Sequence, residues 1–140
     1  MSEKSLEIFK EFVEVIRRIR ERCPWDSVQT HESLKTYFRN ETEEVLEGIE
    51  ILTRDGSSDN LCEELGDLLM LIVLDSLIAQ EENLFTLDDV ISGISAKMKF
   101  RHPKIFSPED QEAAQLSWNE LKKREKELRK SSGNKPSDME

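Results

Sequence analysis

Apolar residues recur at helical intervals along most of the chain. Between residues 5 and 22 the stripe Leu6, Phe9, Val13, Ile16 and Arg20 runs beside Ile8, Phe12, Val15 and Ile19. This three-and-four spacing predicts a helix. Pro24 ends it, because the residue before a proline avoids helical geometry. Cys23 to Gln29 is then a loop, with one turn capped by Asp26 and Gln29. A second helix is predicted from about Glu32 to Leu52, entered near Thr30. Its stripe is Leu34, Phe38, Glu41, Val45, Ile49 and Leu52, so a carboxylate sits among apolar positions. Arg54 to Asp59 is a turn-rich break. A third helix follows from about Asn60 to Glu82, and Leu68 to Leu74 makes it apolar nearly all round, as in a helix buried on most sides.

Asn83 suits a helix stop, and Thr86 suits the cap of a fourth helix over Leu87 to Phe100. Asp88 and Asp89 fall in its first turn, where the helix dipole favours anions. Pro103 stops it. Ser107-Pro108-Glu109-Asp110 reads as a cap, a first-position proline and an acidic first turn, opening a last helix that runs to about Arg129. The short links predict an all-α bundle of about five helices with no sheet. Residues 1–130 would form one domain, and the polar segment 131–140 a frayed tail.

A chain of 140 residues can bury a core without metal or disulfide staples. Charge narrows its partners. Asp and Glu total 30 against 20 Lys and Arg, a net charge of -10. Nucleic-acid polymers need a basic footprint and are excluded as partners; a small anion held locally, with divalent cations, is not. The apolar run Leu68 to Leu74 is far too short to span a bilayer, and Met1 to Ile8 lacks the apolar core of a secretory signal. The expected location is the cytoplasm, with no membrane partner. Cys23 and Cys62 form no metal or disulfide pattern and read as buried or half-buried small hydrophobes.

Two carboxylate pairs carry the chemistry. Glu41 and Glu44 are three apart on the second helix, and Glu64 and Asp67 three apart on the third. Residues at that spacing share a helix face, and antiparallel packing of the two helices would let both pairs converge. Four carboxylates cannot share a buried space unaided, because desolvation and mutual repulsion oppose ionisation. Hard divalent cations, Mg²⁺ or alternatively Mn²⁺, resolve that conflict with oxygen ligands alone. Neither pair contains the Glu-x-x-His of a di-iron site. Farther along, Lys97 and Arg101 lie one turn apart and read on their own as solvated surface cations. His31 and His102 give no metal pattern and read as caps or packed loop residues. Gly48 and Gly66 fall inside helices beside the carboxylate pairs; close helix approach and chance are both open accounts of Gly48.

Several pieces now match a family in order: Cys23-Pro24-Trp25-Asp26 with Gln29-Thr30-His31; Glu41-Thr42-Glu43-Glu44-Val45-Leu46; Glu63-Glu64-Leu65-Gly66-Asp67-Leu68-Leu69; Lys97 with Arg101-His102-Pro103 and Phe106; and Trp118 with Lys122. Over roughly residues 8 to 127 the chain resembles the MazG-like nucleoside triphosphate pyrophosphohydrolases of the all-α NTP pyrophosphatase group, with room for one such module. The resemblance implies a four-helix core carrying the site. It implies Mg²⁺ on Glu41, Glu44, Glu64 and Asp67, phosphate contacts from Lys97 and Arg101, and nucleotide contacts from Trp118 and Lys122, with Trp25 as a further substrate-binding candidate. It implies a homodimer, with a tetramer as the alternative assembly.

The implied reaction is hydrolysis of a nucleoside triphosphate between its α- and β-phosphates, giving monophosphate and pyrophosphate. In one respect the chain departs from the family, which usually has Glu immediately before the first carboxylate pair, where this chain has Asn40. That leaves the general base open, with Glu41 as the candidate. A narrower dCTP/dUTP or phosphoribosyl-ATP pyrophosphohydrolase is the nearest alternative activity. A non-enzymatic acidic helical module is the alternative of another class.

Overall fold

The computed structural model of the chain describes residues 2–132. The helices among them are α1 (Glu3–Arg22), α2 (His31–Asp55), α3 (Asp59–Glu81), α4 (Leu87–Arg101), α5 (Pro103–Phe106), α6 (Gln111–Ala114) and α7 (Trp118–Ser132), with a 3₁₀ turn at Asp26–Val28. No strand occurs among the described residues. The five long helices correspond to those the sequence predicts, except that α7 begins at Trp118 rather than just after Ser107. Among the described residues no helix is long and apolar enough to cross a membrane. Of the expected tail, Ser131 and Ser132 continue α7, and 133–140 lie outside the described residues. The chain divides into two compact units, one of α1 to α3 and one of α4 to α7.

In the first unit the core is Ile16, Leu34, Leu71, Val73, Leu74, Leu77, Ile78 and Ala79, all buried. Arg20 shows why a cation closes the α1 stripe. Its Nη1 donates to the carbonyls of Asp26 at 2.7 Å and Gln29 at 2.8 Å, and its Nε to Glu81 at 2.8 Å, tying the loop to the end of α3. Thr30 and Ser33 cap α2 reciprocally, and Gly56, at φ +77°, ends it in the left-handed region that glycine tolerates. The predicted break at Arg54 to Asp59 therefore shrinks to Gly56–Ser58. Burial of α3 is also narrower than its sequence predicts. Its second half is buried, but Leu65, Leu69 and Ile72 keep 50%, 43% and 38% of their surface exposed. Cys23 is half-buried, as expected, whereas Cys62 is exposed, one residue and so about 100° around α3 from Leu61, whose backbone meets α2 at Gly48.

In the second unit α4 is capped by Thr86 and Asp89. The structure corrects the reading of Ser107 as the cap of the last helix. Asp110 N–H donates to the Ser107 carbonyl at 3.0 Å, closing a turn, and Asp110 then caps the four-residue α6. The true cap of α7 is Ser117. Glu120 N–H donates to Ser117 Oγ at 3.2 Å, and Ser117 N–H to Glu120 Oε2 at 3.1 Å. This is a capping box, Ser117-Trp118-Asn119-Glu120.

Candidate active site

Helices α2 and α3 run antiparallel across the Gly56–Ser58 link, and their facing turns bring carboxylates together. Single oxygens of Glu41, Glu64 and Asp67 all lie within 4.8 Å of one another. Glu44, the fourth predicted ligand, is exposed and outside that trio, but its charge still acts on Glu64. The Glu64 carboxyl is pushed up to about 7, first by desolvation, then by hydrogen bonding to Glu41 and the charges of Asp67, Glu44 and Glu41. Glu41 Oε2 is buried and has no hydrogen-bond partner. A buried carboxylate oxygen without a donor is costly. An all-oxygen trio of this kind, with one orphaned oxygen, has the donor chemistry of a hard divalent cation.

The predicted substrate contacts lie in both units. In the first, Trp25 is half exposed and packs edge-on against Tyr37, ring centroids 5.3 Å apart. In the second, Lys97 is half-buried on α4. Arg101 is buried, its Nε donating to Glu125 Oε2 at 2.7 Å, and its guanidinium lies 5.2 Å from the Trp118 ring centre. Trp118 also meets the His102 ring edge-on at 5.4 Å, while His102 Nδ1 bonds the Met98 carbonyl. Arg101, His102, Pro103, Trp118 and Leu121 border a cavity of about 280 Å³. Lys122 is half-buried on the first turns of α7, beside the exposed Lys123 and Lys126.

The structure adds residues that the sequence reading passes over. Glu125 holds Arg101 and also forms an ion pair with Arg129 at 3.1 Å. The signal for it is a carboxylate in an apolar stripe, between Leu121 and Leu128, the same signal that singles out Glu41. His31 is no loop residue. It opens α2, with Nδ1 on Asp75 and Nε2 3.1 Å from Glu82.

Comparison with known proteins adds an independent line. Residues 29–106 match the profile of the MazG nucleotide pyrophosphohydrolase domain. That stretch contains both carboxylate pairs, Lys97 and Arg101, and leaves out Trp25, Trp118 and Lys122. The chain is 42% identical over 129 residues to the protein named Uncharacterized protein YabN of Bacillus subtilis (strain 168), covering 89% of this chain and 26% of that protein. It is 38% identical over 127 residues to the Nucleoside triphosphate pyrophosphohydrolase/pyrophosphatase MazG of Thermotoga maritima, covering 89% of this chain and 48% of that one. It is 36% identical over 118 residues to the Nucleoside triphosphate pyrophosphohydrolase of Escherichia coli (strain K12), covering 80% and 43%. The chain thus spans half or less of the length of these relatives.

Proposed function

The chain belongs to the MazG nucleotide pyrophosphohydrolase family, and from that membership we propose that residues 1–130 act as one module that hydrolyses a nucleoside triphosphate to monophosphate and pyrophosphate. The observation that carries this reading is the meeting of Glu41, Glu64 and Asp67, with one buried Glu41 oxygen left unpaired. The names of the relatives from Thermotoga maritima and Escherichia coli support the same chemistry here.

Glu41, Glu64 and Asp67 would hold a divalent cation, Mg²⁺ or alternatively Mn²⁺, with Glu44 adding negative charge at the edge. Such an ion, when bound, neutralises phosphate charge and lowers the pKa of bound water. Glu41 is the candidate acceptor of the attacking water's proton. Lys97 is the candidate phosphate contact and Lys122 a candidate nucleotide contact; Arg101, expected as a second phosphate contact, is instead buried against Glu125. Trp118, 45% exposed, offers a ring to the base, and Arg101 fixes that ring from beneath while Glu125 fixes Arg101. Trp25 is the corresponding exposed ring of the first unit.

The same reading extends to assembly and location. Leu65, Leu69 and Ile72 repeat at four and three residues on α3 and stay exposed. A second copy presenting the same stripe would cover them isologously, which favours a homodimer. Two free cysteines suit the reducing cytoplasm.

The test is pyrophosphate release from a panel of ribo- and deoxyribonucleoside triphosphates, with and without Mg²⁺, by the wild type and by Asp67→Asn. Asp67→Asn keeps the side-chain shape and removes the charge a hard cation needs. The expected outcome is metal-dependent release by the wild type and none by a folded Asp67→Asn chain. Equal release by both would remove Asp67 from the site.

A further inference from the structure

At Gly48 the two carboxylate-bearing helices come closer than any side chain would allow. A Cβ built there would stand 2.9 Å from the Leu61 Cα and 3.1 Å from the Leu61 nitrogen, both backbone atoms, and 3.0 Å from Asn60 Oδ1. Backbone cannot swing aside as a side-chain tip can. Since carbon atoms pack at about 3.5–4.0 Å, any side chain at position 48 must move α2 and α3 apart by roughly 0.5–1 Å. Gly48 is itself buried, and Asn60 Oδ1 beside it is buried without a hydrogen-bond partner, so the contact leaves no slack.

This pinch lies one turn from Glu44 and two turns from Glu41 on α2, and on α3 Leu61 lies within two turns of Glu64 and Asp67. At 1.5 Å rise per residue, the trio lies about 4–11 Å from the pinch along the helix pair. We propose that Gly48 is a positioning residue for the divalent-cation site: it sets the α2–α3 separation at which Glu41 on one helix meets Glu64 and Asp67 on the other. The inference rests on the proposed metal site. The two glycines beside the carboxylates are therefore not equivalent. A Cβ at Gly66 would meet nothing within 4 Å, so Gly66 has no such role although it adjoins Asp67.

Ion chemistry separates positioning from mere packing. Mg²⁺ demands near-ideal octahedral geometry at about 2.0–2.1 Å, whereas Ca²⁺ accepts about 2.3–2.6 Å and a flexible shell. Widening the helix pair should therefore harm Mg²⁺ far more than Ca²⁺. The experiment is isothermal titration of full-length wild type, Gly48→Ala and Gly66→Ala with each ion in turn, with helical content followed by circular dichroism. Gly48→Ala should lose about tenfold in Mg²⁺ affinity, as misplaced ligands typically do, and little in Ca²⁺ affinity. Gly66→Ala should match the wild type for both ions. Adding Asn60→Ala to Gly48→Ala removes one of the crowding atoms at no cost in hydrogen bonds, and should recover part of the Mg²⁺ affinity. Unchanged Mg²⁺ affinity, an equal loss for both ions, or loss of the fold in both the single and the double variant would make Gly48 a packing residue and overturn the proposal. A wild type that binds neither ion would overturn the metal reading itself, and this proposal with it.

Discussion

Arg101 and Glu125 form an ion pair inside the second unit, Nε to Oε2 at 2.7 Å, each side chain keeping 7% of its surface. Breaking such a pair strands a charge in a poorly solvated place and costs about 3–5 kcal/mol. The two halves are not equivalent. Removing Arg101 leaves Glu125 with Arg129 at 3.1 Å, whereas removing Glu125 leaves Arg101, among the described residues, with the Trp118 ring. Glu125→Ala should therefore lower the urea midpoint more than Arg101→Met. The reverse order would mean that the Trp118 ring, not Glu125, holds Arg101.

Divalent-cation affinity should climb steeply with pH around neutrality. Glu64 sits at about 7, raised first by desolvation and then by its carboxylate neighbours. Below that pH it carries a proton that a cation must displace; above it, the site is already anionic. Calorimetry in buffers of different ionisation enthalpy should find close to one proton released per ion bound at pH 6 and little at pH 8. Without metal the sign for stability is the opposite. The raised carboxyl favours the folded chain below its ordinary value of 4.5, and that contribution is lost as pH rises through 7. Glu64→Gln should flatten both profiles; a proton release that persists in that variant would move the titration to another group.

The long helices were legible because periodicity and caps agree: Thr30 and Thr86 begin α2 and α4, and Gly56 ends α2. The stretch from Pro103 to Ser117 was not, since two four-residue helices carry too little periodicity to register and Pro108 imitates a helix start. The Ser117–Glu120 capping box was present in the sequence but is outweighed there by the stronger Ser-Pro-Glu-Asp signal. At the site, spacing alone pointed to Glu41, Glu64 and Asp67. It could not tell that Glu44 stays exposed outside the trio, because i and i+3 residues diverge by about 60° around a helix axis. Glu125 stayed hidden among the charges of α7, where only its register with Leu121 marks it.

His31 should make the fold pH-sensitive. Its imidazole lies between Asp75 and Glu82 of the α3 end, and is raised above 6.5 chiefly by the hydrogen bond to Asp75, with burial opposing. A raised histidine contributes stability that is fully present below 6.5 and is lost as pH rises through its folded value. The difference in melting temperature between wild type and His31→Gln should therefore be largest near pH 5.5 and shrink above neutrality. Taking that difference cancels the Glu64 contribution common to both chains. A constant difference across that range would show that His31 serves by shape alone.

Asn40 stands where the resemblance leads one to expect Glu. It is exposed on α2, immediately before Glu41 and one turn before Glu44, whose charge already acts on Glu64. A carboxylate at this position would add a proton acceptor at the edge of the site, so Asn40→Glu should raise the turnover rate at saturating Mg²⁺ with little change in KM. The gain should lie toward the lower end of the roughly 10²–10⁴-fold that general-base assistance contributes, since the side chain starts in solvent. The same charge repels its neighbours when no cation is present. The metal-free variant should consequently melt below the wild type and recover when Mg²⁺ is added. Steady-state kinetics at saturating metal and substrate, beside melting curves with and without Mg²⁺, read both effects separately. An unchanged rate with the expected melting behaviour would assign the proton of the attacking water to Glu41, which already lies within the carboxylate trio.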